Sequence, residues 1–179
     1  LLGDGAVGKT CLRERFMGKE FSADYYMTIG ADFAVKKVVL PEFNKTVVFQ
    51  IWDLAGQPRF EAVRGLYYQG SHGALLIFDV TRRESFENTP FWIQECWKNA
   101  GRRKVPLVML GNKCDLRDHF DFCVSEKEGL ALAEKLSEIL GFPVPYLETS
   151  ALSGLNVSNA FISLGEIIEK YKDEIKPKR

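Results

Sequence analysis

The stretch Gly3-Asp-Gly-Ala-Val-Gly-Lys-Thr10 decides how the rest of the chain is interpreted. It fits the pattern G-x-x-x-x-G-K-[ST], in which glycines allow backbone N–H groups to converge on phosphate oxygens. Two leucines precede it like the end of a strand, and residues 11–16 can continue as a helix whose positive end faces an anion. Lys9 can bridge the β- and γ-phosphates, and the Thr10 hydroxyl can ligate Mg²⁺. The stretch therefore predicts a nucleotide site, with a glycine-rich turn before a helix as the alternative.

The composition indicates one ordinary globular domain and excludes several other classes. Of 179 residues, 46% are hydrophobic and 27% are charged, which is not typical of a disordered chain. Lys plus Arg and Asp plus Glu each number 24, and this balance argues against a general nucleic-acid binder. No apolar run is long enough to cross a bilayer.

The four cysteines and two histidines give no zinc-binding pattern. No two cysteines are spaced as C-x-x-C, and no pair of histidines lies near them in the sequence. We therefore expect free thiols, as in a protein of the reducing cytosol.

Short apolar runs alternate with stretches of helical period, which is typical of a mainly parallel sheet covered by helices on both faces. Residues 73–80 and 105–110 are apolar at nearly every position and are predicted to be buried strands. Residues 32–40 and 45–53 flank the turn signal Pro41-Glu-Phe-Asn44 and predict an antiparallel hairpin at one sheet edge.

Local patterns predict two helix starts and one long amphipathic helix. Ser125-Glu-Lys-Glu128 and Thr81-Arg-Arg-Glu84 each fit a capping box, in which a hydroxyl and a glutamate bond each other's backbone amides. Near the end of the chain, apolar side chains recur at helical spacing and predict a face that packs on the sheet. These side chains are Val157, Ala160, Phe161, Leu164, Ile167, Ile168 and Tyr171.

The segment Asn112-Lys-Cys-Asp115 indicates which base the nucleotide carries, because it comes just after a predicted buried strand. A carboxylate at Asp115 can accept both the N1–H and the N2 amino protons of guanine. Adenine offers no such pair of donors, so the buried carboxylate would stay unpaired against ATP at a high cost in free energy. The segment favours guanine, with a polar turn at a strand end as the alternative.

The segment Asp53-Leu-Ala-Gly56 fits D-x-x-G, which occurs often by chance and gains its meaning from its position. The preceding strand delivers Asp53 to the carboxyl end of the sheet, where open α/β sheets bind ligands. There Asp53 can hold a water on Mg²⁺, and the Gly56 N–H can turn toward a γ-phosphate.

Together these motifs resemble the Ras superfamily of small GTPases, and its Rab branch most closely. Residues 52–60, Trp-Asp-Leu-Ala-Gly-Gln-Pro-Arg-Phe, resemble the Rab-type W-D-x-A-G-Q-E-R-F. Residues 28–33, Thr-Ile-Gly-Ala-Asp-Phe, resemble T-I-G-x-D-F, and residues 67–73, Tyr-Tyr-Gln-Gly-Ser-His-Gly, resemble Y-Y-R-G-A-H-G. Residues 148–152, Glu-Thr-Ser-Ala-Leu, contain the family's E-T-S-A element.

The resemblance implies a P-loop NTPase G domain over residues 1–175. Its fold is α/β, with a six-stranded, mostly parallel sheet, one antiparallel edge strand and helices on both faces. The first strand would be truncated at the N-terminus, and residues 176–179 would form a basic tail. The implied function is a molecular switch that binds GTP or GDP with the cofactor Mg²⁺ and hydrolyses GTP to GDP and phosphate.

The resemblance also implies the residues of the site. Gln57 would orient the attacking water, and Lys9 would be the second catalytic residue. Thr10, Thr28 and, through water, Asp53 would hold Mg²⁺. The nucleotide would be bound by Gly3, Asp4, Gly5, Ala6, Val7, Gly8, Lys9, Thr10, Cys11, Phe21, Thr28, Gly56, Asn112, Lys113, Asp115, Ser150, Ala151 and Leu152.

Individual roles follow from the same resemblance. Phe21 would pack edge-on against guanine, although ordinary core packing is its alternative. Lys113 would cover the base, and Ala151 would offer its N–H to guanine O6. Loss of the γ-phosphate would release the loops around Thr28 and Gly56. No built-in arginine finger is evident, so slow intrinsic hydrolysis is expected.

The implied partners are effectors, exchange factors and GTPase-activating proteins, which would bind through residues 21–33 and 54–70. Phe33, Trp52 and Tyr67 resemble the aromatic triad of Rab-like proteins, although amphipathic strands also bury such side chains. We expect no nucleic-acid partner and a cytoplasmic protein. No cysteine follows Cys123, so membrane association is expected only through a lipidated tail missing from this chain.

Two substitutions depart from the Rab pattern. Pro58 stands where the pattern has glutamate, and a proline restricts the residue before it, here Gln57. We therefore expect altered intrinsic hydrolysis. Met27 stands where proline is common, which predicts a more flexible loop before Thr28.

Three alternatives to a hydrolysing switch stay open from the sequence. A nucleotide-binding interaction module with little hydrolysis is favoured by Pro58. A GTPase domain excised from a larger protein would give the same motifs. A small-molecule P-loop kinase is disfavoured by the segments 53–57 and 112–115.

Overall fold

The computed structural model describes residues 1–22, 27–101 and 105–175. Its strands are β1 (Ala31–Leu40), β2 (Lys45–Leu54), β3 (Ala74–Asp79), β4 (Leu107–Asn112) and β5 (Tyr146–Thr149). Its helices are α1 (Lys9–Phe16), α2 (Glu61–Tyr68), α3 (Arg83–Glu87), α4 (Thr89–Asn99), α5 (Glu126–Leu140), α6 (Val157–Lys170) and α7 (Lys172–Ile175). Short 3₁₀ helices span Pro41–Phe43, Pro58–Phe60 and Cys114–His119. The predicted basic tail at 176–179 lies outside the described residues.

The strands form an antiparallel hairpin and a parallel sheet, as predicted. β1 pairs with β2 in antiparallel register over their whole length, while β3 pairs with β4 and β4 with β5 in parallel. The start of the chain links the two parts. Leu2 makes a parallel bridge to Leu76, and the Leu1 backbone nitrogen donates to the Trp52 carbonyl oxygen at 2.6 Å.

The predicted first strand appears as this single bridge, so the described residues contain five strands and one bridge where six strands were expected. Only two residues precede the glycine-rich loop, and two residues cannot form a longer ladder. Leu2 still occupies a strand position, because its N–H donates to the Leu75 carbonyl oxygen at 2.9 Å and its carbonyl oxygen accepts from the Ile77 N–H at 2.8 Å. The sheet therefore delivers the chain directly into the loop at Gly3.

The parallel strands form the centre of the core. Every residue of β3 and β4 is buried, as their continuous apolar runs predicted. α6 packs the predicted apolar face against this layer. Its buried side chains include Val157, Ala160, Phe161, Leu164 and Ile167, while Ile168 and Tyr171 pack partly buried against them.

Of the two predicted capping boxes, one forms and one does not. Ser125 Oγ accepts from the Glu128 N–H, and the Glu128 carboxylate accepts from the Ser125 N–H, at the start of α5. The prediction at Thr81 is wrong, since α3 begins at Arg83 without a side-chain cap. The reason is a stronger acceptor nearby: the Thr81 hydroxyl and N–H both donate to Asp79 Oδ1, at 2.7 and 2.9 Å.

The four cysteines are free thiols, as predicted. In the described ranges, no helix has both the length and the apolar composition needed to cross a membrane.

Candidate functional site

The glycine-rich loop of residues 3–8 packs against the end of β4. Gly8 has a φ of 97°, and a Cβ there would lie 2.3 Å from Asn112 Nδ2, so only glycine allows this approach. Asn112 Nδ2 donates to the Val7 carbonyl oxygen at 2.8 Å, and Asn112 Oδ1 accepts from Thr149 Oγ1 at 3.1 Å. The Asn112 side chain therefore ties the loop to two parallel strands.

Lys9 begins α1, and its ammonium group lies beneath the loop. Nζ donates to the carbonyl oxygens of Gly3 and Asp4, both at 2.6 Å. Burial lowers the pKa of Lys9 to about 8, although the nearby Asp53 carboxylate acts in the opposite direction. A phosphate would restore the stability of the charged form, because an adjacent anion offsets the desolvation of an ammonium group.

Three oxygen-bearing side chains meet beside Lys9. Thr10 Oγ1 lies 2.5 Å from Asp53 Oδ2 and 2.8 Å from Thr28 Oγ1. Asp53 is fully buried at the end of β2, and its Oδ1 has no hydrogen-bond partner within the described residues. An unpaired buried carboxylate oxygen is costly and calls for a cation or a donor.

This set of oxygens fits Mg²⁺, which prefers hard oxygen ligands and combines one or two carboxylates with phosphate oxygens and water. The described residues hold no cluster of three or more His, Cys, Asp or Glu side chains suited to a metal ion. The ion would therefore depend on the two hydroxyls, Asp53 and the nucleotide's own phosphates.

The residues that follow β2 fold back onto the glycine-rich loop. A Cβ on Gly56 would lie 2.4 Å from the Asp4 carbonyl carbon and from the Gly5 nitrogen, so the two backbones are in direct contact. The Gln57 Nε2 lies 3.6 Å from the position of a Cβ on Gly5. Gln57 Oε1 is buried and has no hydrogen-bond partner in the part of the chain that the structure describes.

Pro58 has the local effect that the sequence predicted. Gln57 adopts the extended conformation, with φ −81° and ψ 143°, and Pro58 opens a 3₁₀ helix. The backbone of Gln57 is also held from behind, since its carbonyl oxygen accepts from Arg64 Nη1 at 2.8 Å. The expected effect of Pro58 on hydrolysis stays a prediction.

A second group of site residues comes from the segments after β4 and β5. Lys113 has a φ of 64°, and its Nζ pairs with Asp79 Oδ2 at 2.7 Å. Asp115 and Ala151 face the same cavity as Lys113. Phe21 faces it too and is 41% exposed, so core packing, the alternative considered for Phe21, is not observed.

Most of the predicted site residues line one cavity of about 490 Å³. The predicted residues that line it are Gly5, Ala6, Gly8, Lys9, Thr10, Cys11, Phe21, Thr28, Gly56, Gln57, Asn112, Lys113, Asp115, Ala151 and Leu152. Gly3, Asp4, Val7, Asp53 and Ser150 are not part of the lining. The Asp4 carboxylate turns toward α4, where it accepts from Asn88 Nδ2 at 2.8 Å and Trp92 Nε1 at 2.6 Å.

Four lining residues were not predicted: Glu14, Ser22, Leu54 and Leu116. Three of them, Ser22, Leu54 and Leu116, are chain neighbours of predicted residues, and Leu54 occupies a variable position of the D-x-x-G segment. Glu14 follows Thr10 by one helical turn on α1, so the helical period contained the signal that would have identified it.

The predicted aromatic triad forms one cluster on the hairpin and α2. The ring centroids of Phe33 and Trp52 lie 4.5 Å apart, and those of Trp52 and Tyr67 lie 4.8 Å apart. Phe33 and Trp52 are 43% and 37% exposed, so they are available at the surface rather than buried on the inner strand face.

Comparisons with known proteins agree with this geometry. The model of the Ras family matches residues 1–170. GTP-binding protein YPT1 of Saccharomyces cerevisiae is 41% identical over 170 residues, which cover 95% of this chain and 77% of the yeast protein. Ras-related protein RABA4d of Arabidopsis thaliana is 42% identical over 92% of this chain and 69% of its own length. Ras-related protein Rab-8A of Rattus norvegicus is 38% identical over 97% of this chain and 79% of its own length.

Proposed function

The chain belongs to the Ras family, and we propose which of its residues perform the work of a GTP-hydrolysing switch. With Rab and Ypt relatives along most of its length, it is a Rab-like small GTPase. Such a protein hydrolyses GTP to GDP and phosphate and presents a different surface to its partners in each nucleotide state. Membership of the Ras family excludes the alternative that the chain is a small-molecule P-loop kinase. We assign residues 1–175 to a single G domain.

One observation carries the assignment of residues. Lys9, Thr10 and Thr28 line a cavity that Asp115 also lines, and Asp53, which is not part of the lining, contacts Thr10. A phosphate-binding group and a candidate base-recognition group thus face a common space large enough for a nucleotide.

Mg²⁺ would be held by the Thr10 and Thr28 hydroxyls and, through a water, by Asp53. When bound, the ion supplies positive charge that offsets the charge of the phosphate oxygens. Lys9 Nζ would exchange its two loop carbonyls for β- and γ-phosphate oxygens. The N–H groups of residues 3–11 would complete the anion site at the start of α1.

Guanine would be recognised by the residues after β4 and β5. The Asp115 carboxylate accepts the two N–H donors of the base, and the Ala151 N–H donates to O6. Lys113 covers one face of the ring, and Phe21 packs against its edge. Ser150 and Leu152 support the loop around Ala151.

Hydrolysis would depend on the segment that packs on the glycine-rich loop. The Gly56 N–H donates to the γ-phosphate, and the Gln57 side chain orients the attacking water for in-line displacement. Once the γ-phosphate leaves, the segments around Gly56 and Thr28 lose a shared ligand, which is the change that partners detect. Intrinsic turnover is slow, because no arginine of this chain is assigned to touch the transferred phosphate.

We assign the partner surface to residues 21–33, of which 23–26 lie outside the described residues, and to residues 54–70. Its aromatic anchor is the cluster formed by the exposed Phe33 and Trp52 and the partly buried Tyr67. Effectors, exchange factors and activating proteins would use it in membrane traffic. We place the protein in the cytoplasm, with peripheral membrane association when it carries a lipidated tail.

Single-turnover hydrolysis of GTP with and without Mg²⁺ tests these assignments. The unaltered chain should release phosphate slowly and only with Mg²⁺. Gln57→Leu should reduce the rate by roughly tenfold or more, because the water loses its orienting group. Gln94→Leu is the matched control, since Gln94 is exposed on α4 and lies outside both the cavity and the assigned partner surface. Equal rates for the two variants would contradict the role of Gln57.

A further inference from the structure

Arg82 contacts the glycine-rich loop but is not among the residues that line the cavity. It lies between the end of β3 and the start of α3, and its Nη2 donates to the Gly5 carbonyl oxygen at 2.7 Å. Its Nε is buried and lacks a hydrogen-bond partner among the described residues.

The position of Arg82 is fixed by its own backbone. The Arg82 N–H donates to the Asp79 carbonyl oxygen at 3.0 Å, and the Arg82 carbonyl oxygen accepts from Ser85 Oγ at 2.7 Å. Ser85 is almost fully buried, and its Oγ also accepts from the Asp79 N–H at 3.0 Å. The N–H and the carbonyl oxygen of Arg82 are therefore both hydrogen-bonded at the end of β3. From this position the guanidinium group reaches the Gly5 carbonyl oxygen.

Arg82 contacts the carbonyl oxygen of the peptide group that joins Gly5 to Ala6, and Ala6 lines the cavity. The carbonyl oxygen of Gly5 and the N–H of Ala6 belong to the same amide, and Ala6 lines the cavity with a left-handed φ of 64°. A charged donor on the oxygen of an amide polarises that amide and makes its N–H a stronger donor. Successive loop N–H groups in such conformations form anion-binding concavities.

We propose that Arg82 is a positioning residue for GTP hydrolysis that acts through the Gly5–Ala6 amide without touching the nucleotide. The inference rests on the proposed function, in which the loop N–H groups bind phosphate. As the bond to the γ-phosphate breaks, negative charge grows on the phosphate oxygens, and a donor aimed at growing charge stabilises the transition state more than the bound substrate. Arg82 therefore affects the hydrolysis rate more than nucleotide affinity.

The neighbouring Arg83 provides a matched control. Its guanidinium pairs with the Glu128 carboxylate at 2.9 Å on the surface, and it makes no recorded contact with the loop among the described residues. Arg82→Gln and Arg83→Gln remove the same charge at adjacent positions. Arg82→Lys keeps the positive charge at position 82 but places all its N–H donors on one nitrogen.

The experiment measures single-turnover GTP hydrolysis and GDP affinity for the chain and these three variants, all with Mg²⁺. Arg82→Gln should lower the hydrolysis rate roughly threefold to tenfold, a modest effect because the arginine acts through one amide. Its GDP affinity and melting temperature should match those of Arg83→Gln, which should hydrolyse GTP at the unaltered rate. Arg82→Lys should recover part of the lost rate.

The NMR signal of the Ala6 amide proton provides a second measurement, which a purely structural role of Arg82 would leave unchanged. In the Mg²⁺–GDP complex, the NMR signal of the Ala6 amide proton should move upfield in Arg82→Gln and stay in place in Arg83→Gln. The proposal is overturned if both glutamine variants hydrolyse GTP equally, if the Ala6 signal is unchanged, or if the rate falls only with GDP affinity or melting temperature. A chain that binds no GTP would instead overturn the proposed function.

Discussion

Two features limit the conformations of Gln57: its covalent bond to Pro58 and the packing of Gly56 on the glycine-rich loop. Pro58 restricts its backbone to the extended region, and Gly56 presses the segment onto the loop at Asp4 and Gly5. The Gln57 side-chain amide therefore lies against the glycine-rich loop, with Nε2 3.6 Å from the position of a Cβ on Gly5.

Pro58→Glu should lower the single-turnover hydrolysis rate at unchanged GDP affinity. Removing a compatible proline frees the preceding backbone, and the expected loss is roughly twofold to fivefold, the rate equivalent of about 0.4–1 kcal/mol. Stopped-flow detection of released phosphate measures it. Equal rates in the two proteins would show that Pro58 does not position Gln57.

Binding of GDP should take up protons at mildly alkaline pH, because burial lowers the pKa of Lys9 to about 8 and the phosphates require its charged form. In the free protein the ammonium group loses its proton as pH rises through 8, so GDP affinity should fall between pH 7 and 8.5. The number of protons taken up on GDP binding should increase between the same two pH values.

Calorimetry in two buffers of different ionisation enthalpy measures this uptake. Lys9→Met is the control, because it keeps the titration of the phosphates and removes that of the lysine. Uptake that is constant from pH 7 to 8.5, or equal in Lys9→Met, would contradict the assignment of Lys9 to the phosphates.

At the level of helices, α2 and α4 are joined by a buried ion pair. Arg64 donates to both Glu95 oxygens at 2.7 Å, and the two side chains are 1% and 3% exposed. The Tyr68 hydroxyl donates to Glu95 Oε1 at 2.6 Å, and Arg64 also holds the Ala55 carbonyl oxygen at 3.1 Å. The pair thus fixes the segment next to Gln57 to the rest of the molecule.

Arg64→Leu should destabilise the GDP complex by about 3–5 kcal/mol, since it leaves Glu95 buried without its counter-ion. The double variant Arg64→Leu with Glu95→Leu should be more stable than the single one. Arg83→Leu breaks the exposed pair with Glu128 and should change the free energy of unfolding little, because solvent screens the two charges. Urea denaturation distinguishes these cases. A cost at Arg64 as small as that at Arg83 would contradict the structural role of the buried pair.

Elements could be predicted from the sequence where the signal is local. The hairpin, the buried strands, the α6 face and the Ser125 cap each follow from neighbouring residues, and each is confirmed. The cap predicted at Thr81 is wrong, because a carboxylate at the end of β3 competes for the same hydroxyl. Propensity rules do not include that competition.

Contacts between residues that are far apart in the chain could not be predicted from local sequence patterns. Glu95 follows Arg64 by 31 positions and Arg82 follows Gly5 by 77, so no periodic pattern relates either pair. The motifs identified the lining of the cavity, because loops that bind phosphate and base carry short, fixed patterns. The side chains that support these loops through distant contacts, such as Arg64 and Arg82, belong to no such pattern.

For the whole molecule, the site follows from the direction of the strands. The bridge at Leu2 and the ends of β4 and β5 each lead into a segment of the site, at residues 3, 113 and 150, while the hairpin strand β2 carries Asp53 next to its last residue. Parallel strands end at one edge of a sheet, so motifs separated by more than a hundred residues face one cavity.

The most direct test of this arrangement is the thermal stability of the chain with four nucleotides in Mg²⁺. A ligand that binds only the folded state stabilises it by mass action, and at about a thousandfold excess over the dissociation constant the melting temperature should rise by about 10 °C. GDP and GTP should produce this rise, while ADP and ATP at equal concentration should not. An equal rise with adenine and guanine nucleotides, or none with either, would contradict the account.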